Sequence, residues 1–116
     1  MSITRYEAGK RMSQAVVHGN TVYLAGQVAA DYNGTIEKQT AEVLAAVDKL
    51  LAQAGTSKAK LLTIQVIHNN IGDFAAMNTV YDAWIDPANP PTRACIEARL
   101  AHPSLKVEVI AVAALD

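Results

Sequence analysis

The segment Asn89–Leu100, "NPPTRACIEARL", opens on two prolines and then alternates. Proline fixes φ and has no N–H to donate, so one element ends before the pair and another begins after it. Counting by two from Arg93 sets Arg93, Cys95, Glu97 and Arg99 on one face of a strand. Ala94, Ile96, Ala98 and Leu100 fall on the other. A turn signal follows at Ala101-His102-Pro103-Ser104, and then "LKVEVIAVAAL". The two strands are therefore expected to form an antiparallel hairpin with a four- or five-residue loop. In such a hairpin Glu108 falls opposite Cys95 or Glu97. A shift of one residue turns it to the other face, and the sequence leaves both registers open.

Reading outward, "GDFAAMNTVYDAWIDP" is a helix with Phe74, Met77, Tyr81 and Trp84 on one face, Asp73 as N-cap and Pro87 as its stop. "KLLTIQVIHN" is a strand in which Leu62, Ile64 and Val66 alternate with Thr63, Gln65 and Ile67. "QTAEVLAAVDKLLAQAG" sets Val43, Leu44, Val47, Leu50, Leu51 and Ala54 along one helical stripe. Gly55 suits the C′ position, while the absence of a capping box leaves the start of this helix open. "QAVVHGNTVYLAGQVA" reads as two strands joined at His18-Gly19-Asn20. Gly26 interrupts the second, which marks a bulge or a close approach of backbone or ligand. Asn33-Gly34 is a turn, and a further strand is possible near Ile3–Glu7. Two helices on one face of a mostly antiparallel sheet give an α+β two-layer sandwich, expected as a single domain over residues 1–116.

With 116 residues, 51% apolar and 18% charged, the chain has the composition of a globular protein. The net charge of −1, with no cluster of Lys or Arg, argues against a nucleic-acid partner. A single cysteine cannot close an intrachain disulfide, which points to a reducing compartment. No apolar run approaches the ~20 residues of a transmembrane helix, and "MSITRYEAGKRM" is no signal peptide. A cytoplasmic protein with no membrane contact is expected.

The polar strand face is the first place to look for chemistry. An arginine there either pairs across strands with Glu97 or Glu108, worth ~0.2–1 kcal/mol when exposed, or holds its planar fork for a ligand carboxylate. Cys95 is a nucleophile only if a base activates it; otherwise it is a small core residue. His18, His68 and His102 lack metal-ligand spacing, so no metal is expected. No nucleophile elbow and no glycine-rich phosphate loop is present in the sequence.

Five segments in order, "GNTVYLAGQVA", "AGTSKAKLLTIQVIHN", "DFAAMNTVYDAW", "PTRACIEA" and "KVEVIAVAA", resemble the RidA/YjgF family over roughly residues 14–114. The most specific piece is Pro91-x-Arg93-x-Cys95-x-Glu97 followed by Lys106-x-Glu108. The resemblance implies a chorismate-mutase-like fold and a homotrimer with ligand clefts between neighbouring subunits. It implies a cofactor-free hydrolytic deaminase that converts reactive 2-imino and enamine acids, of the 2-aminoacrylate type, to 2-keto acid and ammonia. Arg93 would bind the substrate carboxylate and Glu108 would position the attacking water. Main-chain groups at Gly26 and Cys95 would contact the substrate, with the thiol dispensable. Met12 stands where the best-known subgroup places a ligand-contacting tyrosine, and a methionine cannot donate that hydrogen bond. Two other readings compete: a trimer that binds a carboxylate metabolite without turnover, and, more weakly, RNA cleavage.

Overall fold

The computed structural model describes residues 2–116. Strands β1 (Ile3–Tyr6), β2 (Ala15–His18), β3 (Thr21–Leu24) and the short β4 (Gln27–Val28) precede helix α1 (Ile36–Ala54). Strand β5 (Leu61–His68), helix α2 (Phe74–Trp84), β6 (Thr92–Glu97) and β7 (Val107–Ala114) complete the fold. They form one sheet in the order β1-β2-β3-β7-β5-β6, with β4 also paired to β7. Only β5 and β6 run parallel.

The β2–β3 hairpin turns at Gly19-Asn20, with His18 paired to Thr21. Gly19 has φ 61° and Asn20 is not left-handed, which fits a type II′ turn and its preference for glycine at the first central position. Thr35 caps α1: its Oγ1 accepts from the Lys38 N–H at 3.2 Å. At the other end Gly55, at φ 92°, donates to Ala52, and Thr56 donates to Leu51, closing the helix in a left-handed cap. All six residues of the expected α1 stripe are buried. They pack with Met77 and Tyr81 of α2 against Val22, Ile64, Val66, Val109 and Ala111 of the sheet.

In three places the chain departs from the pattern read in its sequence. In β5, Leu61 is buried while Leu62 is 49% exposed, because the pairing with β7 shifts between Leu61 and Thr63. Asp73 stands at the N-cap of α2 but its side chain caps nothing. A 3-10 turn, Ile71–Asp73, precedes the helix, and there Asn70 accepts from the Gly72 N–H.

The third departure carries furthest. β6 and β7 do not form a hairpin; β5 lies between them. The β5-α2-β6 crossover sets β6 parallel beside β5, and β7 enters on the far side of β5, where β3 also pairs with it. Apolar residues on both faces suit β7 to a central position, while polar β6 takes the edge. Glu108 consequently faces neither Cys95 nor Glu97: its partners are Ile67 of β5 and Val28 of β4.

Candidate active site

The register assigns every site residue to a face. Val107, Val109, Ala111 and Ala113 of β7 are buried under the helices. Val66 aligns with both Val109 and Cys95, and His68 with both Val107 and Glu97. Arg93, Cys95 and Glu97 therefore lie on the helix side of the sheet. Glu108 lies on the opposite side, in line with Ile67 and, one strand further, Ile96. That side carries Tyr23 (48% exposed) and Ile96 (41%) with half-buried Ile67, Ile110 and Val112, and no helix of the described residues covers it. Arg99, expected on the same strand face, lies beyond the end of β6 beside a hollow of about 420 Å³.

Arg93 is held by α2. Its Nη1 donates to Asn78 Oδ1 at 2.7 Å, and its guanidinium carbon sits 4.7 Å from the Tyr81 ring centre and 5.7 Å from that of Phe74. Phe74, Asn78 and Tyr81 follow one another by four and three residues, so one helix face presents all three. The partner is a neutral amide rather than Glu97 or Glu108, so the positive charge stays uncompensated while the fork is oriented. Glu97 is engaged elsewhere, accepting from the Ile71 N–H at 3.0 Å. The Tyr81 hydroxyl is pushed above its usual pKa by burial, which the Arg93 charge partly opposes.

Cys95 is a free, half-buried thiol. Burial pushes its pKa up, against a smaller lowering by Arg93, the reverse of what an activated nucleophile needs. His68 is fully buried and neither ring nitrogen has a hydrogen-bond partner. Burial lowers its pKa foremost; Asp73 raises it and Arg93 lowers it. Among the described residues no three His, Cys, Asp or Glu side chains converge as a metal set.

Gly26 sits in a bulge. From Tyr23 to Gln27 the chain advances four residues against three from Val112 to Val109, one residue extra. A side chain on Gly26 would overlap the Glu108 carboxylate, whose Cδ lies 2.8 Å from the position a Cβ would take. The bare glycine thus makes room for Glu108 on the uncovered face. The Ala25 N–H extends the β2–β3 ladder by one rung, donating to the Gln14 carbonyl at 2.8 Å in the same register. That bond ties down the loop between β1 and β2, which the Gly9 N–H closes onto the Met12 carbonyl at 2.8 Å. Met12 itself is 48% exposed.

The candidate residues therefore fall into two groups, Arg93 with Cys95 on the edge strand and Gly26 with Glu108 on the opposite face. The sequence reading missed Asn78, Tyr81 and Phe74 as the support of Arg93, and His68 as an orphaned imidazole. Both were signalled. Asn78 interrupts an apolar helix face, and His68 continues the buried alternation of Ile64 and Val66.

Residues 2–115 match the family model described as "Endoribonuclease L-PSP". A "RutC family protein" of Haemophilus ducreyi is 40% identical over 114 residues, covering 98% of this chain and 97% of its own. The chain belongs to the RidA/YjgF family. "RutC family protein YoaB" of Escherichia coli is 37% identical, over 99% of this chain and 100% of its own. A crystal structure of a YjgF-family member from Neisseria meningitidis superposes with a TM-score of 0.97 at 39% identity, covering 100% of this chain and 97% of that one. The RidA/YjgF fold is thus shared nearly end to end.

Proposed function

We propose that the protein is a cofactor-free hydrolytic deaminase of small 2-imino and enamine acids, working as a homotrimer with its sites between neighbouring subunits. The carrying observation is the free positive charge of Arg93, exposed at the sheet edge and oriented by Asn78 and two aromatic rings rather than by a carboxylate. An oriented, uncompensated guanidinium is a receptor for a planar carboxylate. Because Arg93 and Glu108 occupy opposite faces of one sheet, a small ligand meets both only where the edge of one subunit approaches the uncovered face of the next. The apolar residues of that face, Tyr23 and Ile96 among them, support such burial.

In this reading Arg93 grips the carboxylate of the imine. An enamine first tautomerises to the imine, and protonation of its nitrogen makes C2 electrophilic. Glu108, in the space left by Gly26, orients a water and takes its proton as oxygen bonds to C2. Collapse of the carbinolamine breaks the C–N bond and releases ammonia and the 2-keto acid. The balance is one water consumed per imine, with no redox step. Positioning and proton transfer supply the acceleration. Main-chain groups at Gly26 and Cys95 border the substrate, and the Cys95 thiol takes no part. The same proposal places the protein in the cytoplasm; no helix of the described residues is long and apolar enough to cross a membrane.

The test couples the protein to a serine dehydratase that releases 2-aminoacrylate. Pyruvate should appear faster in its presence, and Arg93→Ala should remove the effect while the oligomer survives. No acceleration with any of several amino-acid-derived imines would remove the proposal. Met12 favours one alternative, carboxylate binding without turnover, since its exposed thioether has no proton to give. A carboxylate that raises the melting temperature with no product formed from any imine would establish that reading instead.

A further inference from the structure

His68 is the one buried side chain whose polar atoms find no partner among the described residues. It ends β5, with Glu97 of β6 on one side and Val107 of β7 on the other, and it is 0% exposed. Phe74 of α2 touches both it and the candidate site: its ring centre lies 6.4 Å from the imidazole, edge-on, and 5.7 Å from the Arg93 guanidinium carbon. An orphaned polar group in a native interior calls for an explanation. A core position of this size is filled more cheaply by leucine, which has no nitrogen to leave unbonded.

The charged groups around the ring are few. The turn before α2 brings Asp73, and β6 brings Arg93, Glu97 and the Cys95 thiol. β7 contributes apolar Val107 alongside, and α2 contributes Phe74. Asp73 favours an imidazolium and Arg93 opposes it. A ligand carboxylate seated on Arg93 cancels that opposition. Seating it adds little desolvation at the ring, which is already enclosed. Linkage then requires the converse: whatever raises the proton affinity of His68 when the anion binds makes the protonated protein bind the anion more tightly.

We propose that His68 is a positioning residue that acts through Arg93: an anion arriving at Arg93 draws one proton onto the buried imidazole, and its departure releases that proton. The step transfers H⁺ from solvent to a ring nitrogen and back, with no net chemistry. Asp73 is the carboxylate whose charge favours the protonated ring. Anion affinity at this site is thereby tied to pH through a residue the anion never touches. The inference rests on Arg93 being the carboxylate receptor proposed above, and its test separates the two.

The ring protons of all three histidines are followed by NMR as pH is varied, in wild type and in Arg93→Met, with and without pyruvate, which stays ionised throughout. His68 should titrate at higher pH in Arg93→Met than in wild type, and pyruvate should shift wild type the same way. Calorimetry at a series of pH values below 6.5, in buffers of differing ionisation heat, should show proton uptake with pyruvate that is absent in His68→Leu. Below pH 6.5 the wild-type Kd for pyruvate should tighten by up to about tenfold per pH unit, while His68→Leu stays flat. Pyruvate binding without proton uptake would overturn the inference and leave the carboxylate site standing. Failure of pyruvate to bind would remove the carboxylate site. The Arg93→Met titration would still decide the coupling, and an unmoved His68 there would end it.

Discussion

Gly26→Ala separates fold from function at one atom. Gly26 has no left-handed φ, so alanine meets no backbone strain there. By restricting the unfolded chain it stabilises by roughly 0.4–1 kcal/mol. The new Cβ would stand 2.8 Å from Glu108 Cδ and 3.2 Å from Cγ, where ordinary contact begins at 3.4 Å. The carboxyl carbon must therefore retreat by roughly 0.6 Å or more, and the flexible side chain does so by leaving its present rotamer, at about 0.5–1.5 kcal/mol. The two effects nearly cancel, so the melting temperature should stay within a few degrees of wild type by about 4–8 °C per kcal/mol. The carboxylate proposed to hold water is nevertheless displaced, and a misplacement near 1 Å costs about a hundredfold in rate. The dehydratase-coupled pyruvate assay should show that loss. Glu108→Gln should show a comparable one, and the double variant should lose little more than either alone, as expected when both act on one group. Wild-type turnover in Gly26→Ala, or a fully additive double variant, would refute the argument that Gly26 exists to seat Glu108.

Asn78→Ala removes the amide that orients Arg93 and should raise KM about tenfold, since a hydrogen bond to a charged group contributes roughly 1.5 kcal/mol; an unchanged KM would mean the aromatic rings suffice. Cys95→Ser should keep the rate within about threefold and alkylation of Cys95 at neutral pH should be slow, because burial holds the thiol protonated. Stability should fall on acidification below pH 6.5 through His68. Its folded pKa is depressed, so the unfolded state binds more protons there, the contribution is complete above the unfolded pKa, and it is lost as pH drops toward the folded one. His68→Leu should flatten that part of the urea-midpoint profile, and an unaltered profile would assign it elsewhere. Buried Gln39 donates to the Gly34 and Ser104 carbonyls and accepts from the Lys106 N–H at 2.9 Å. Gln39→Leu should therefore cost about 3 kcal/mol by leaving one buried and two half-buried groups unpaired, measurable as a lowered urea midpoint.

Local signals carried most of the architecture. The six-residue stripe of α1, the His18-Gly19-Asn20 hairpin and the stop at Pro87 follow from side-chain period and from the φ restrictions of glycine and proline, which neighbours in sequence impose. Gly26 was legible as an interruption, and its meaning depended on which side chain came near. Thr35 and the 3-10 turn at Ile71–Asp73 were less legible, because caps are decided by bonds to backbone groups that only the formed helix presents.

By itself the sequence determined two helices over one face of a mostly antiparallel sheet, an alternating β6 with Arg93, Cys95 and Glu97 in phase, and a family pattern nearly as long as the chain. Tertiary structure alone decided strand order. Alternation reports which residues share a face of one strand and says nothing about which strand lies beside it. The crossover through α2 set β6 on one side of β5 while β7 took the other, and the resulting register put Glu108 across the sheet from Arg93 instead of beside Cys95. The support of Arg93 by Asn78 and Tyr81, and the isolation of His68, arise the same way, from residues far apart in the chain that meet only when the layers close.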